Sequence, residues 1–207
     1  MNKFNVVLLD SIGYIGEIIS SSKESYQMVL KKNQTIDPSD ICFITDGTMN
    51  VRRKGDNLVI FEAKAPFVLG LTNLFNFEFN DVYIESVDEC HIHVLKTNIF
   101  KELLASDHSR TWFHISNILG WRLHVYASRD KILSQKTVYD SIRIHLLDIW
   151  ALPEESRLRT SIYMYILERI KISRSALHKV IYQLNFGEYI TTKRGKLISV
   201  NNLPDTY

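Results

Sequence analysis

The sequence predicts an α+β chain: an N-terminal antiparallel β-roll, a long connecting helix and a C-terminal winged helix-turn-helix. Three observations carry this expectation. Between residues 41 and 95, short apolar runs alternate with turns, several of them centred on glycine. From about Ser109, apolar residues continue at helical spacing without a proline. Near the C-terminus, an amphipathic stretch starting on Ser173 leads into two short strands joined by Lys193-Arg194-Gly195-Lys196. The expected units are residues 1–108, the roll with an N-terminal helix; 109–135, the connecting helix; and 136–207, the winged unit.

In chain order, residues 16–32 read as a helix with a serine-rich middle, and 33–40, which hold Pro38, read as a loop. Strands are expected at 41–44, 49–53, 58–61, 67–69, 81–86 and 90–95. Asp46-Gly47 and Lys54-Gly55-Asp56-Asn57 are turn sequences suited to antiparallel reversals. Strands this closely spaced imply a roll or barrel.

Trp112, Ile115, Ile118, Leu119, Arg122, Leu123 and Tyr126 then recur at helical spacing, interrupted only by Gly120. The stripe of Trp112, Ile115, Leu119, Leu123 and Tyr126 is either a core face or a dimer seam. A winged helix usually reads paired half-sites, which favours the seam, so these five residues are the expected homodimer interface. Residues 137–149 form another helix, broken at Leu152-Pro153, and 160–170 is the helix expected before the turn of the winged unit.

Within 173–184, Leu177, Val180, Ile181 and Leu184 fall at i, i+3, i+4 and i+7 and form one apolar stripe. Arg174, Ser175, His178, Lys179 and Tyr182 point elsewhere. Ser173 is placed to cap the first free backbone donors. A capped helix with a polar face, followed by a basic hairpin, predicts contact with double-stranded DNA through Ser173, Arg174, Ser175, His178 and Lys179. Lys193, Arg194 and Lys196 of the hairpin would hold phosphate. Without the hairpin, Arg174 would read equally well as the surface of an ordinary amphipathic helix.

Charge supports the same end of the chain. From Ala151 onward there are nine cations and five carboxylates, an excess of four, although the whole chain of 207 residues carries only +2. The first 150 residues are therefore net negative, and the basic excess lies where attraction to phosphate requires it. A mildly basic solvated surface is the plainer reading of charge alone. No stretch approaches the ~20 apolar residues that cross a bilayer. The N-terminal residues lack a secretory pattern, so a cytoplasmic location is expected. Two cysteines, Cys42 and Cys90, are too few for a disulfide framework and are expected as reduced, buried thiols.

The order of elements resembles the CRP/FNR family of bacterial transcription regulators across about residues 40 to 200. Ile172-Ser173-Arg174-Ser175 followed by Leu177, Lys179, Val180, Ile181 and Leu184 resembles its recognition helix, and the resemblance implies DNA contacts at Arg174 and Lys179, with Ser173 and Ser175 in support. Asp46-Gly47 resembles a turn of the family's β-roll, and Val68-Leu69-Gly70 with Leu74-Phe75 resembles the entry to its cyclic-nucleotide cassette. Within the family, the chain is similar to enterobacterial peroxide-resistance regulators with a degenerate cyclic-nucleotide-binding-like domain. Leu71, Asp81 and Val82 stand where nucleotide-binding members have a ribose-holding Glu and a phosphate-clamping Arg-Ser/Thr pair. An acidic residue repels the anion and the apolar ones offer no hydrogen bond, so cyclic nucleotide is not the expected effector. Lys171 in the turn and Leu167 before it replace small residues, which implies an altered helix crossing.

No cofactor and no metal are expected. Two cysteines cannot supply the thiolate set of an iron-sulfur cluster, while haem, which needs only an axial histidine, is left open. Cys90-His91-Ile92-His93 puts His91 and His93 on one face of a strand, but a metal needs a further ligand such as His108 or His114. Enzymatic motifs are missing, and the adjacent Glu154 and Glu155 diverge on a helix. The expected partners are DNA, a second copy of the chain and, as a candidate, RNA polymerase; the effector is left open. The alternative is a regulatory module on the same scaffold that binds a protein partner or an apolar effector, with Phe61, Phe67, Phe75, Phe77 and Phe79 lining a pocket in the roll.

Overall fold

In the computed structural model, which describes residues 3–36, 39–75, 81–106, 109–133 and 137–205, the chain opens with helix α1 (Lys3–Ser21). Ile12, Ile15 and Ile19 recur on one face of it and are fully buried. The helix lies earlier than the expected 16–32, and Tyr26–Leu30 is strand β1. The cause is long-range. β1 pairs antiparallel with a strand some sixty residues on, Tyr26 opposite Val94 and Leu30 opposite Cys90, and this pairing overrides the local helical pattern.

Strands β2 (Thr35–Ile36), β3 (Ile41–Asp46), β4 (Thr48–Arg53), β5 (Val59–Lys64), β6 (Phe67–Leu69), β7 (Val82–Ser86) and β8 (Cys90–Leu95) follow. A short 3-10 helix, Leu71–Phe75, comes after β6. Two four-stranded antiparallel sheets result, ordered β1-β8-β3-β6 and β2-β7-β4-β5. β2 lies in the stretch expected to be a loop; it is two residues long and pairs only with β7. Gly47 is the residue at which the chain leaves the first sheet for the second. Its φ is +90°, and a Cβ there would stand 2.5 Å from the Glu89 carbonyl oxygen, so glycine is required.

Helix α2 (Thr97–Ser106), which local pattern did not predict, and helix α3 (Arg110–Leu133) complete this part. Phe100 and Leu104 of α2 and Ile115 and Ile118 of α3 join the core of the two sheets. Residues 1–126 form one compact unit and 127–207 a second.

The second unit is built from α4 (Val138–Trp150), α5 (Glu154–Arg159), α6 (Ile162–Leu167), α7 (Arg174–Phe186), β9 (Ile190–Lys193) and β10 (Lys196–Val200). Thr137 and Asp140 cap the start of α4 reciprocally. Ile142, Leu146 and Ile149 of α4, Ile162 and Ile166 of α6, and Leu177, Ile181 and Leu184 of α7 form its core. The helix expected over 160–170 is the shorter α6, opened by a cap from Ser161 to the Met164 amide. Among the described residues, no helix is long and apolar enough to cross a membrane.

Candidate nucleic-acid interface

Helix α7 follows Ser173, whose hydroxyl accepts the Ala176 amide at 3.1 Å and lies 3.1 Å from the Ser175 hydroxyl. Ser173 therefore serves first as the cap that fixes where the helix begins. Leu177, Ile181 and Leu184 face the core, which turns Arg174, Ser175, His178 and Lys179 outward; all four are exposed. No Asp or Glu occurs anywhere in α7. Its outward face offers cations, hydroxyls and an imidazole, with no carboxylate to repel phosphate.

The wing is a two-residue hairpin. Arg194 and Gly195 have φ of +51° and +74°, the pair of left-handed residues that lets two strands reverse tightly with their native twist. Lys193 and Arg194 are exposed there. Hydrogen bonds tie the wing to the helices. The Asn185 side chain accepts the Thr192 amide at 3.0 Å and donates to the Ile181 carbonyl at 2.8 Å. The Ile162 amide donates to the Gly195 carbonyl at 3.0 Å. The Lys196 ammonium donates to the Arg159 carbonyl, so Lys196 fixes the wing before it can serve phosphate.

Tyr163 was not among the expected site residues. Its ring stacks on the His178 imidazole with 5.2 Å between centroids, and it borders Gly195. It thus links the turn of the wing to the polar face of α7. Only a three-dimensional neighbour reveals this; in the sequence Tyr163 is one more aromatic in a short helix.

From Ala151 onward, the cations other than the hydrogen-bonded Lys196 fall into two groups. Arg157 lies over the Trp150 ring, Arg159 pairs with Glu155 at 2.5 Å, and Arg169 lies 3.6 Å from the centroid of Tyr165. Lys171, Arg174, Lys179, Lys193 and Arg194 form no ion pair among the described residues. The cations left for a partner sit in the turn, on α7 and on the wing.

The expected seam on α3 is corrected in part. Ile115 is fully buried and Leu119 and Tyr126 pack against the core of the roll, because the two sheets cover that side of the helix. Trp112 is 38% exposed and lies beside Phe75, and Leu123 is 70% exposed. The outward face runs instead through Phe113, Ser116, Gly120 and Leu123.

Cys42 is buried, which pushes its thiol up to about 12, with the nearby Asp40 carboxylate adding to the effect. Burial also raises Cys90, as does Asp88, and its thiol donates to the Thr48 carbonyl at 3.2 Å. Both thiols stay protonated at neutral pH, and neither is poised as a thiolate nucleophile. His91 and His93 lie on the face of β8 opposite Cys90, with His91 3.7 Å from Glu89. His114 is buried 3.0 Å from the Ser11 hydroxyl and stacked on Tyr14; His108 lies outside the described residues. Among the described residues, no three metal-ligating side chains converge.

The roll contains a cavity of about 240 Å³. Aliphatic side chains of Val51, Ile60, Leu69, Val82 and Ile84 form much of its wall, and Thr72, Asn73, Arg122 and Tyr126 supply its polar part. The pocket expected from phenylalanines is not this one. Phe61 and Phe67 are spent in the core against Trp121, Phe75 is 44% exposed, and Phe77 and Phe79 lie outside the described residues. Leu71, at the ribose position of the resemblance, is fully buried; Asp81 is exposed, and Val82 is part of the cavity wall.

A β-roll, a long helix and a helix-turn-helix with a basic wing define a winged-helix DNA-binding protein on the CRP/FNR fold. The family description "Winged helix-turn-helix DNA binding" matches residues 138–205. Solved structures agree on the fold. The c-di-GMP responsive global regulator CLP of Xanthomonas campestris gives a TM-score of 0.74 at 18% identity, covering 92% of this chain and 99% of that one. A putative transcriptional regulator of the crp/fnr family from Eubacterium rectale gives 0.72 at 12% identity, covering 94% and 93%. The chain belongs to the family of the inhibitor of hydrogen peroxide resistance. It is 30% identical to that protein of Salmonella typhimurium over 164 residues, 79% of this chain and 78% of the relative. Against the Escherichia coli K12 protein it is 28% identical over 172 residues, 83% and 82%.

Proposed function

We propose that this chain is a homodimeric, sequence-specific transcription regulator that works without cyclic nucleotide. The observation that carries the proposal is the outward face of α7, where Arg174, Ser175, His178 and Lys179 stand exposed beside a basic wing with no carboxylate in the helix. Arg174, Ser175 and Lys179 enter the major groove and read base edges, while Lys193 and Arg194 lie on phosphate. Ser173 and Lys196 act mainly by holding the helix start and the wing. The test is capture of genomic fragments by the purified protein, followed by sequencing. A shared sequence among the retained fragments supports the proposal, and retention proportional to fragment length refutes it.

Lys193→Ala separates the wing from the helix. A phosphate contact is blind to sequence, so this variant is expected to weaken specific and random duplexes alike and to reduce the slope of log K against log salt by about one. Titration of both duplexes over a salt series reads the effect.

The dimer is proposed to form through the outward face of α3. Phe113, Ser116, Gly120 and Leu123 are spaced three and four residues apart, as in a two-helix seam, and nothing stands within 4 Å of a Cβ built on Gly120. By symmetry, Leu123→Asp acts on both copies, each losing about 1.5–3 kcal/mol of apolar burial. Sedimentation is expected to show a dimer for the unaltered chain and a monomer for the variant.

The cavity in the roll favours a second element, an effector-binding role for the first unit. The positions of the cyclic-nucleotide pattern carry none of its ribose or phosphate contacts, with Leu71 turned into the core, Asp81 exposed and Val82 an aliphatic part of the wall. The relatives are named for hydrogen peroxide resistance, and the proposal places this chain in the same response. Protonated, buried Cys42 and Cys90 argue that any peroxide signal reaches it by another route.

A further inference from the structure

Arg122 is a cation where the sequence pattern asks for an apolar residue. It lies three to four residues from Ile118, Leu119 and Tyr126 on the inward face of α3, and only 8% of it is exposed. Its guanidinium stands over the rings of Phe61, at 5.1 Å, and Tyr126, at 5.7 Å, and one terminal nitrogen donates to the Tyr126 hydroxyl at 3.0 Å. Its Nε is buried without a hydrogen-bond partner, and among the described residues Arg122 has no carboxylate partner. Buried cations are retained when something pairs with them, and a guanidinium fork fits a carboxylate with two parallel hydrogen bonds.

We propose that the cavity binds a small organic monocarboxylate, a short aliphatic chain or a single ring bearing one carboxylate, with the carboxylate on Arg122 and the body against Val51, Ile60, Leu69, Val82 and Ile84. This rests on the effector-binding role proposed above and names the chemistry of the effector. Size agrees: an apolar cavity of about 150 Å³ accepts benzene, so about 240 Å³ accommodates such a body together with its carboxylate. Charge agrees as well. Arg122 is the cation in the cavity wall, so one negative charge is neutralised and a second is not. The ring stacking of Arg122 on Phe61 holds its position before a ligand arrives, so little ordering is needed on binding.

The test is calorimetric titration of the purified chain with hexanoate and with benzoate, and with 1-hexanol as the neutral counterpart, with no DNA present. Saturable binding of at least one carboxylate, at least tenfold tighter than 1-hexanol, is expected. In Arg122→Met this preference is expected to disappear. In Ile60→Trp, which fills the cavity and leaves the cation in place, both acid and alcohol are expected to lose binding. Melting curves of each variant show that it is folded; if Arg122→Met does not fold, Ile60→Trp and the acid-to-alcohol ratio decide alone. Equal binding of acid and alcohol, no saturable binding of any probe, or acid binding unchanged in Ile60→Trp would overturn the proposal. Because DNA is absent, such a failure leaves the DNA-reading role untouched. Failure of fragment capture, in turn, leaves the carboxylate site standing.

Discussion

Arg174→Ala is expected to weaken binding to the chain's own operator by about 1–3 kcal/mol, about five- to 150-fold in Kd, and to blur base preference at one position of each half-site. The residue is exposed in the first turn of α7, just after the Ser173 cap, where recognition helices approach base edges. A bidentate arginine contact discriminates between bases, so the loss falls on the specific duplex and spares most of the binding to random DNA. Its side chain packs in no core, so the melting temperature is expected to stay where it is. Competition gel shifts with single-base operator variants measure the change, and equal losses on specific and random duplexes would remove Arg174 from base reading.

Leu177→Ala, one turn further along the same helix, is expected to do the reverse. Leu177 is fully buried among the core residues of α4, α6 and α7. Truncating it removes buried methyl groups and leaves a void, at a cost of about 2–5 kcal/mol. For a unit of this size the unfolding transition of residues 127–207 should fall by at least about 8 °C. At temperatures where the variant is folded, its base preference should be retained, because the outward face is unchanged. A calorimetric scan of the full chain, beside operator-variant gel shifts in the cold, separates the two effects. A variant that melts normally but has lost preference would contradict the division of α7 into a packing face and a reading face.

That division was legible in the sequence because it is local. One cap and a three-four spacing of leucine, valine and isoleucine place Leu177, Ile181 and Leu184 inward and Arg174 and Lys179 outward. The hairpin turn at Gly195 was legible for the same reason, whereas Gly47, expected to reverse two paired strands, carries the chain from one sheet to the other, which no local pattern shows. Long-range pairing hid other elements. Tyr26–Leu30 lies in a stretch whose local pattern reads as helix and becomes a strand only because β8 lies beside it. The stripe on α3 suggested one face where there are two, since Ile115 and Leu123 are both apolar and only the sheets determine which is covered. The cap at Ser173 was legible too, whereas the duty of Lys196 as wing anchor appears only with the Arg159 carbonyl in place. The cavity was not legible at all. It accounts afterwards for one oddity of the sequence, a lone arginine inside an apolar helical stripe.

The central claim is that α7 and its wing recognise a particular DNA sequence. It is tested most directly by gel-shift titration of the purified chain against its most strongly retained genomic fragment and a scrambled duplex of equal length, at about 50 mM and about 200 mM salt. The predicted result is a complex with both duplexes that weakens steeply with salt, and at the higher salt a preference for the genomic fragment of about a thousandfold or more. Equal affinity for the two duplexes at both salt concentrations, or no complex with either, would contradict it.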